Sequence, residues 1–281
     1  MKAVIYYFSG TGNSLYVAKG IAAALDAELL PIASSLSEDK IRVKADVAGI
    51  VFPVYYGDLP LPVRKFAKKL TDIQNIYLFS VCTFGGAAGD SHKTLKQIVQ
   101  GRGGQIAATY GVHMPQNAFY KFWEKHRPLY RRWQKNLPVV VANTISRREG
   151  TFFRNILFDL IFKGIQAWVK PRYAKSFAAK SGISPDLPLD ELIHFNDVGF
   201  KVHIRACTGC GLCEKVCPAG NIEMQLNKPF WRHQCWNCLA CYNYCPEKAI
   251  SSSIAAEGYY YRHPDITVQE IMAQKKRDIM Y

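Results

Sequence analysis

The chain has 281 residues, 49% of them hydrophobic, and carries 36 Lys and Arg against 22 Asp and Glu, a formal charge of +14. That length fits about two domains and leaves room for a core that stands without metal or disulfides. The opening MKAVIYYFSG has no basic leader, and the sequence holds no run of about 18 uncharged apolar residues; this argues against an export signal and a spanning helix, and for a cytoplasmic protein.

Residues 2–8 form an apolar run that predicts a strand, feeding the turn SGTGNS. The spacing of Leu15, Val17, Ala18, Ile21, Ala22 and Leu25 predicts a helix directly after it. Strand, glycine-rich turn and helix is an arrangement that cradles phosphate, because backbone amides at a helix start and the hydroxyls of Ser9, Thr11 and Ser14 can satisfy it without a basic side chain. The turn has neither GxGxxG nor a Walker lysine, and so points to a mononucleotide. Further strands are predicted at 28–33, 47–52, 75–82 and 105–112, alternating with helices at 63–70 and 92–99. Alternation of this kind predicts a parallel sheet with helices on both faces. Its ligand belongs at the carboxyl ends of the strands, where PVYYGDLP, TFGGAAGDS and YGVHMPQN stand. Cys82, inside an apolar run, reads as a small core residue.

Over residues 1–117 these loops resemble flavodoxins. The resemblance implies a doubly wound, five-stranded parallel sheet that holds FMN. It places Ser9, Gly10, Thr11, Gly12, Asn13 and Ser14 at the phosphate, and Pro53, Tyr55, Tyr56, Gly57, Thr83, Phe84, Gly85 and Gly86 along the isoalloxazine. Many flavodoxins have a tryptophan where PVYYG stands, so either tyrosine is a candidate to stack on the ring. The acidic surface common in that family is missing here. His113 either faces the flavin or is an ordinary loop residue.

Residues 118–196 are basic and aromatic. Between 121 and 180 there are 14 Lys and Arg against Glu124, Glu149 and Asp159, a net +11. The segment reads as helical, with Trp123, Tyr130 and Trp133 among the bases and a helix restart at Asn136, Leu137 and Pro138. In 152–170 the later polar residues Asn155, Asp159, Lys163, Gln166 and Lys170 fall in a strip of roughly 80° on a helical wheel, and only Arg154 interrupts the apolar remainder. So broad an apolar arc needs cover from the protein's own domains, from a second copy in a homo-oligomer, or from a membrane surface. Arg131, Arg132, Arg147 and Arg148 keep the last two open. No reader motif accompanies the bases, which argues against nucleic acid. The same bases can offset negative charge on bound cofactors.

Eight of the nine cysteines lie between 207 and 245. CTGCGLCEKVCP and CWNCLACYNYCP repeat one CxxCxxCxxxCP unit at a constant offset of 28. Zinc sites usually draw cysteine pairs from separate knuckles, whereas three thiols recurring every third residue suit one face of an iron–sulfur cube. The region 201–261 resembles a bacterial-type ferredoxin, a small α+β unit with two [4Fe-4S] clusters. The resemblance implies that Cys207, Cys210, Cys213 and Cys245 hold one cluster, and Cys235, Cys238, Cys241 and Cys217 the other. It departs in the 17 residues between Cys217 and Cys235, which predict a hairpin around 224–231. Trp231, Trp236, Tyr242 and Tyr244 either shield the clusters or simply pack the small core.

Nearly the whole chain is similar to the flavodoxin-ferredoxin fusion family, which implies a flavodoxin-like domain (1–117), a helical connecting segment (118–196) and a two-cluster domain with a tail (197–281). The implied function is single-electron relay between two [4Fe-4S] clusters and FMN, with a ferredoxin or a reductase as redox partner. Two other readings stand beside it. One is an FMN-dependent reductase of a small oxidised substrate, with Tyr55, Tyr56 and His113 as candidate proton donors. The other is a redox-sensing module that binds partners through 152–170.

Overall fold

A computed structural model describes residues 1–117, 126–153 and 192–275, with scattered positions between 159 and 179. Strand β1 (Ala3–Tyr7) is buried along its whole length, as a central strand covered on both faces must be. It pairs in parallel with β2 (Glu28–Pro31) on one side and β4 (Val47–Pro53) on the other. Beyond β4 come β6 (Tyr77–Phe84) and β7 (Ile106–His113), also parallel. A minor pair, β3 (Ile41–Arg42) with β5 (Leu70–Thr71), stands outside this sheet. The order β2-β1-β4-β6-β7 reverses direction beside β1, which is the flavodoxin-like arrangement with its switch point between β1 and β4. Helix α1 (Asn13–Leu25) packs with α5 (His126–Ile145), and α3 (Leu61–Lys69) with α4 (Ser91–Gln100). A short helix, α2 (Ile32–Ser35), takes the end of the predicted second strand. Cys82 is fully buried.

The sheet has six strands where the sequence predicts five. The sixth, β8 (Gly150–Phe152), lies parallel to β7, with Tyr110 opposite Phe152 and their rings stacked at 5.1 Å. Phe152 therefore belongs to an edge strand, not to the helix predicted from 152. A short apolar run fits either element, and here α5 returns the chain alongside β7 as a crossover. Nor does α5 restart at Asn136: it runs through Pro138. A proline inside a helix costs about 3 kcal/mol. Packing on both sides of it outweighs that cost, because Trp133, Val140, Asn143 and Thr144 are all buried and Leu137 faces Gly20 of α1.

Arg154, Asn155, Lys163, Gln166 and Lys170, like Trp123, lie outside the described residues. Among the described positions of that stretch the expected split of polar and apolar faces does not hold, although the apolar Phe162 does face the protein, at the cleft. Asp159 is 5% exposed, while Ile161, Ile165 and Trp168 are 58%, 55% and 65% exposed. No helix among the described residues is long and apolar enough to cross a membrane.

The cysteine-bearing part is small and mixed. Strands β9 (Phe200–Val202) and β12 (Ile250–Ser252) pair antiparallel, as do β10 (Ile222–Gln225) and β11 (Lys228–Trp231). The latter is the predicted hairpin; Leu226 and Asn227, at φ 49° and 61°, make its two-residue turn. Helices α6 (Leu212–Lys215) and α7 (Ala240–Tyr244) follow the two cysteine loops, and α8 (Val268–Met272) lies in the segment after β12.

Trp133, 2% exposed, ties α5 to the core of the N-terminal half. Trp133→Ala is expected to lower stability by about 3–5 kcal/mol, read from the midpoint of urea unfolding; a value near zero would show that α5 is only a tether.

Candidate functional site

The carboxyl ends of β1, β4 and β6 open onto one cleft. Thirteen of the fourteen predicted flavin contacts line it: Ser9, Gly10, Thr11, Asn13, Ser14, Pro53, Tyr55, Tyr56, Gly57, Thr83, Phe84, Gly85 and Gly86. Gly12 does not. Its φ of 103° turns it behind the loop, where an added Cβ would lie 2.8 Å from His263 Cβ. Val54, Ala87 and Phe162 join the wall, as do Pro115, Gln116 and Asn117, after β7. Their side-chain roles could not be read from YGVHMPQN, although its place after the fifth strand was a signal.

The phosphate-type loop is held from inside. The backbone N–H of Gly12 donates to Ser9 Oγ at 3.1 Å, and Asn117 Nδ2 donates to Thr11 Oγ1 at 3.2 Å. Ser14 Oγ and Thr83 Oγ1 lie 2.8 Å apart. Helix α1 makes its first backbone bond from Tyr16 N–H to Gly12 O at 2.8 Å. The N–H groups of Asn13, Ser14 and Leu15 therefore precede the intrahelical ladder, at the positive end of the helix dipole. Such a set fits an anion.

The two tyrosines of PVYYG turn toward the cysteine-bearing part. Tyr56, at φ 51°, accepts a hydrogen bond from Asn237 Nδ2. Tyr55 is buried, and its hydroxyl points at Gly10 with no partner among the described residues. Burial, then the nearby thiols of Cys238 and Cys235, push the Tyr55 phenol well above its ordinary pKa. His113 stacks on Phe84 at 5.9 Å, and its Nε2 lies 3.1 Å from Gly85 O, so it buttresses the glycine turn.

The cysteines gather in two sets. Cys207, Cys210, Cys213 and Cys245 surround one small cavity with Met224 and Pro229. Cys217 lies within electrostatic reach of Cys235, Cys238 and Cys241. The 28-residue repeat extends to the backbone: Gly209 and Gly211 take φ 75° and 71°, and their counterparts Asn237 and Leu239 take 57° and 58°. Left-handed residues at both positions curl each loop so that successive thiols face one side, at a cost for Asn and still more for Leu. Backbone N–H groups of Asn221, Asn237 and Ala249 point at the sulfurs of Cys217, Cys235 and Cys245, 3.3–3.4 Å away.

Burial pushes the Cys213 thiol up to about 11 and Cys238 to about 12. Thiolates there need positive charge beside them, which iron supplies. Among the described residues no three His, Cys, Asp or Glu converge as ligands of a single ion. A cluster spreads its thiolates over separate irons, so the donor set fits it. The sets differ in depth: Cys217, Cys238 and Cys241 are buried, while Cys210 is exposed.

The deeper loop touches the cleft directly. A Cβ on Gly10 would lie 2.3 Å from Cys238 O, and Trp236 meets Phe8 edge-on at 6.0 Å. Tyr242 and Tyr244 are buried, and Trp231 stacks on Phe200 at 5.6 Å.

Residues 206–250 match the 4Fe-4S dicluster domain family. No curated protein matches the chain. Among solved structures, a flavodoxin from the domain Archaea is 14% identical, covering 52% of this chain and 99% of its own, with a TM-score of 0.37. A Streptococcus pneumonia TIGR4 flavodoxin is 16% identical, covering 50% and 98%, at 0.34. An FMN-dependent NADH-azoreductase from Bacillus anthracis str. Ames Ancestor, solved with FMN, is 10% identical, covering 51% and 99%, at 0.37. The parallel strand order carries the fold; these superpositions add nothing to it.

Gly10→Ala is expected to force the two loops apart and to cost about 1–3 kcal/mol in anaerobic denaturation; an unchanged midpoint would remove the contact. His263, stacked on Tyr16 at 4.0 Å, has its pKa lowered by burial to about 4. Its neutral form contributes stability that is lost as pH falls from about 6.5 toward 4, at up to about 1.4 kcal/mol per unit. Denaturation across that range should show the slope, and His263→Phe should flatten it.

Proposed function

We propose that this protein is an electron-transfer iron–sulfur flavoprotein holding two [4Fe-4S] clusters and FMN, which relays single electrons between them and exchanges them with a redox protein such as a ferredoxin or a reductase. The single observation that carries this is the seating of the Cys238 carbonyl against Gly10, where a Cβ would fall 2.3 Å away. It brings the deeper cysteine loop against the phosphate-type loop with no side chain between. When bound, FMN can take two electrons and release them singly, and each cluster passes one at a time.

The chain's own residues supply placement and exclusion of water. Cys207, Cys210, Cys213 and Cys245 would hold the outer cluster, where the exposed Cys210 gives a partner its approach. Cys217, Cys235, Cys238 and Cys241 would hold the inner one. Ser9, Gly10, Thr11, Asn13 and Ser14 would bind the flavin phosphate, and Tyr55 to Gly57 and Thr83 to Gly86 would flank the ring. A substrate-reducing enzyme would need a proton donor at that ring. The observed geometry favours relay, because Tyr56 is bonded to Asn237, His113 lies against Gly85 O, and the Tyr55 hydroxyl points at Gly10.

Anaerobically prepared protein is expected to contain two [4Fe-4S] clusters and one FMN per chain by iron, sulfide and flavin assay; colourless or zinc-loaded protein would end this reading. Cys217→Ala should remove the inner cluster and roughly halve the iron, leaving the outer cluster's electron paramagnetic resonance signal; selective loss of the outer signal would overturn the ligand sets.

A further inference from the structure

The segment after β12 does not stay with the cysteine-bearing part. It returns to the N-terminal half and runs behind the SGTGNS loop as a strap. Gln274, 1% exposed, holds Ser9 by both backbone groups: Ser9 N–H donates to Gln274 Oε1 and Gln274 Nε2 donates to Ser9 O, each at 2.9 Å. Two residues on, Thr11 O accepts from His263 N–H at 2.9 Å. Then Tyr261 donates its phenol proton to Asn13 Oδ1, while Asn13 Nδ2 donates to Pro115 O at 2.9 Å. An ion pair between Lys19 and Glu270 pins the far end, where Glu270 also closes a capping box with Thr267.

These bonds alternate along the loop, at residues 9, 11 and 13. They consume the Ser9 N–H and draw the Ser9 and Thr11 carbonyls to the strap, away from the cleft. An anion site needs that sorting, since a carbonyl oxygen facing a phosphate repels it while an N–H attracts it. The Tyr261 bond likewise fixes which way the Asn13 amide points, leaving its oxygen occupied. Tyr261 is in turn held by the cysteine-bearing part: its backbone N–H donates to Asn243 Oδ1 at 2.8 Å, and Asn243 Nδ2 donates to Leu239 O at 2.9 Å.

We propose that the strap of residues 259–275, acting through Gln274 and Tyr261, is a positioning element of the phosphate-binding loop, so that recognition of the flavin's phosphate depends on residues beyond the cysteine-bearing unit. This rests on the FMN reading above. Neither residue touches the cleft; each acts through Ser9 or Asn13.

The test compares FMN with riboflavin, which lacks the phosphate, on full-length protein stripped of flavin with its clusters intact. Gln274→Ala is expected to weaken FMN binding roughly tenfold or more, with riboflavin affinity and iron content unchanged. Gln274→Glu keeps the acceptor for Ser9 N–H but loses the donor and adds negative charge, and should weaken FMN further. Tyr261→Phe, the gentler change, should show the same selectivity for FMN. Equal loss of FMN and riboflavin, or FMN affinity unchanged in both Gln274→Ala and Tyr261→Phe, overturns the proposal. Wild-type protein that binds neither flavin sinks the FMN reading itself and this inference with it; binding of both by wild type, with no difference in the variants, sinks the inference alone.

Discussion

A peptide carbonyl, that of Cys238, fills the space that any side chain at residue 10 would need. The two halves of the chain meet there backbone to backbone. Around that contact the other pieces are arranged in order: Trp236 against Phe8, Asn237 on Tyr56, and the buried Tyr55 hydroxyl beneath the loop. A glycine in SGTGNS that reads as a concession to phosphate is also a concession to a neighbouring loop. Both demands fall on the same atom-sized space, and it leaves the two loops in backbone contact with no side chain between them.

Electrostatics explains why the deeper set of thiols is tolerable. Buried cysteines pushed well above their ordinary pKa resist becoming thiolates. Metal charge and inward-pointing backbone N–H groups make that ionisation favourable, and the left-handed residues of each loop help to aim those donors. The strain at Leu239 is therefore tied to the site: glycine serves at the equivalent Gly211 in the outer loop, whereas the inner loop keeps a leucine that is 3% exposed. Packing in the small core compensates for the backbone cost.

Much of this was legible because it repeats or alternates. The 28-residue offset exposed the two cysteine loops, and the alternation of buried strands with amphipathic helices exposed the parallel sheet. The alternation also put the ligand at the carboxyl ends of the strands, and the resemblance to flavodoxins named the residues there, thirteen of which line the cleft. What escaped depends on partners distant in the chain. Pro138 looks like a helix start until Trp133 and Val140 are seen buried on either side of it. Phe152 looks helical until Tyr110 is found beneath its ring. The 159–168 stretch has a clear polar strip, but a wheel cannot say which side meets the protein, and Asp159 took the inside. Gln274 gives no signal at all: a glutamine near a basic tail becomes informative only once Ser9 stands opposite it.

The bond between Ser9 and Gln274 joins residues 265 positions apart. During synthesis Ser9 leaves the ribosome long before Gln274 does, so the loop at Ser9 lacks that backing until residue 274 has been translated. Because Tyr261 is anchored through Asn243 to the second cysteine helix, that backing also waits for the iron-binding unit to fold. The loop at Ser9 therefore reaches its final form only once the segment 259–275 has docked behind it.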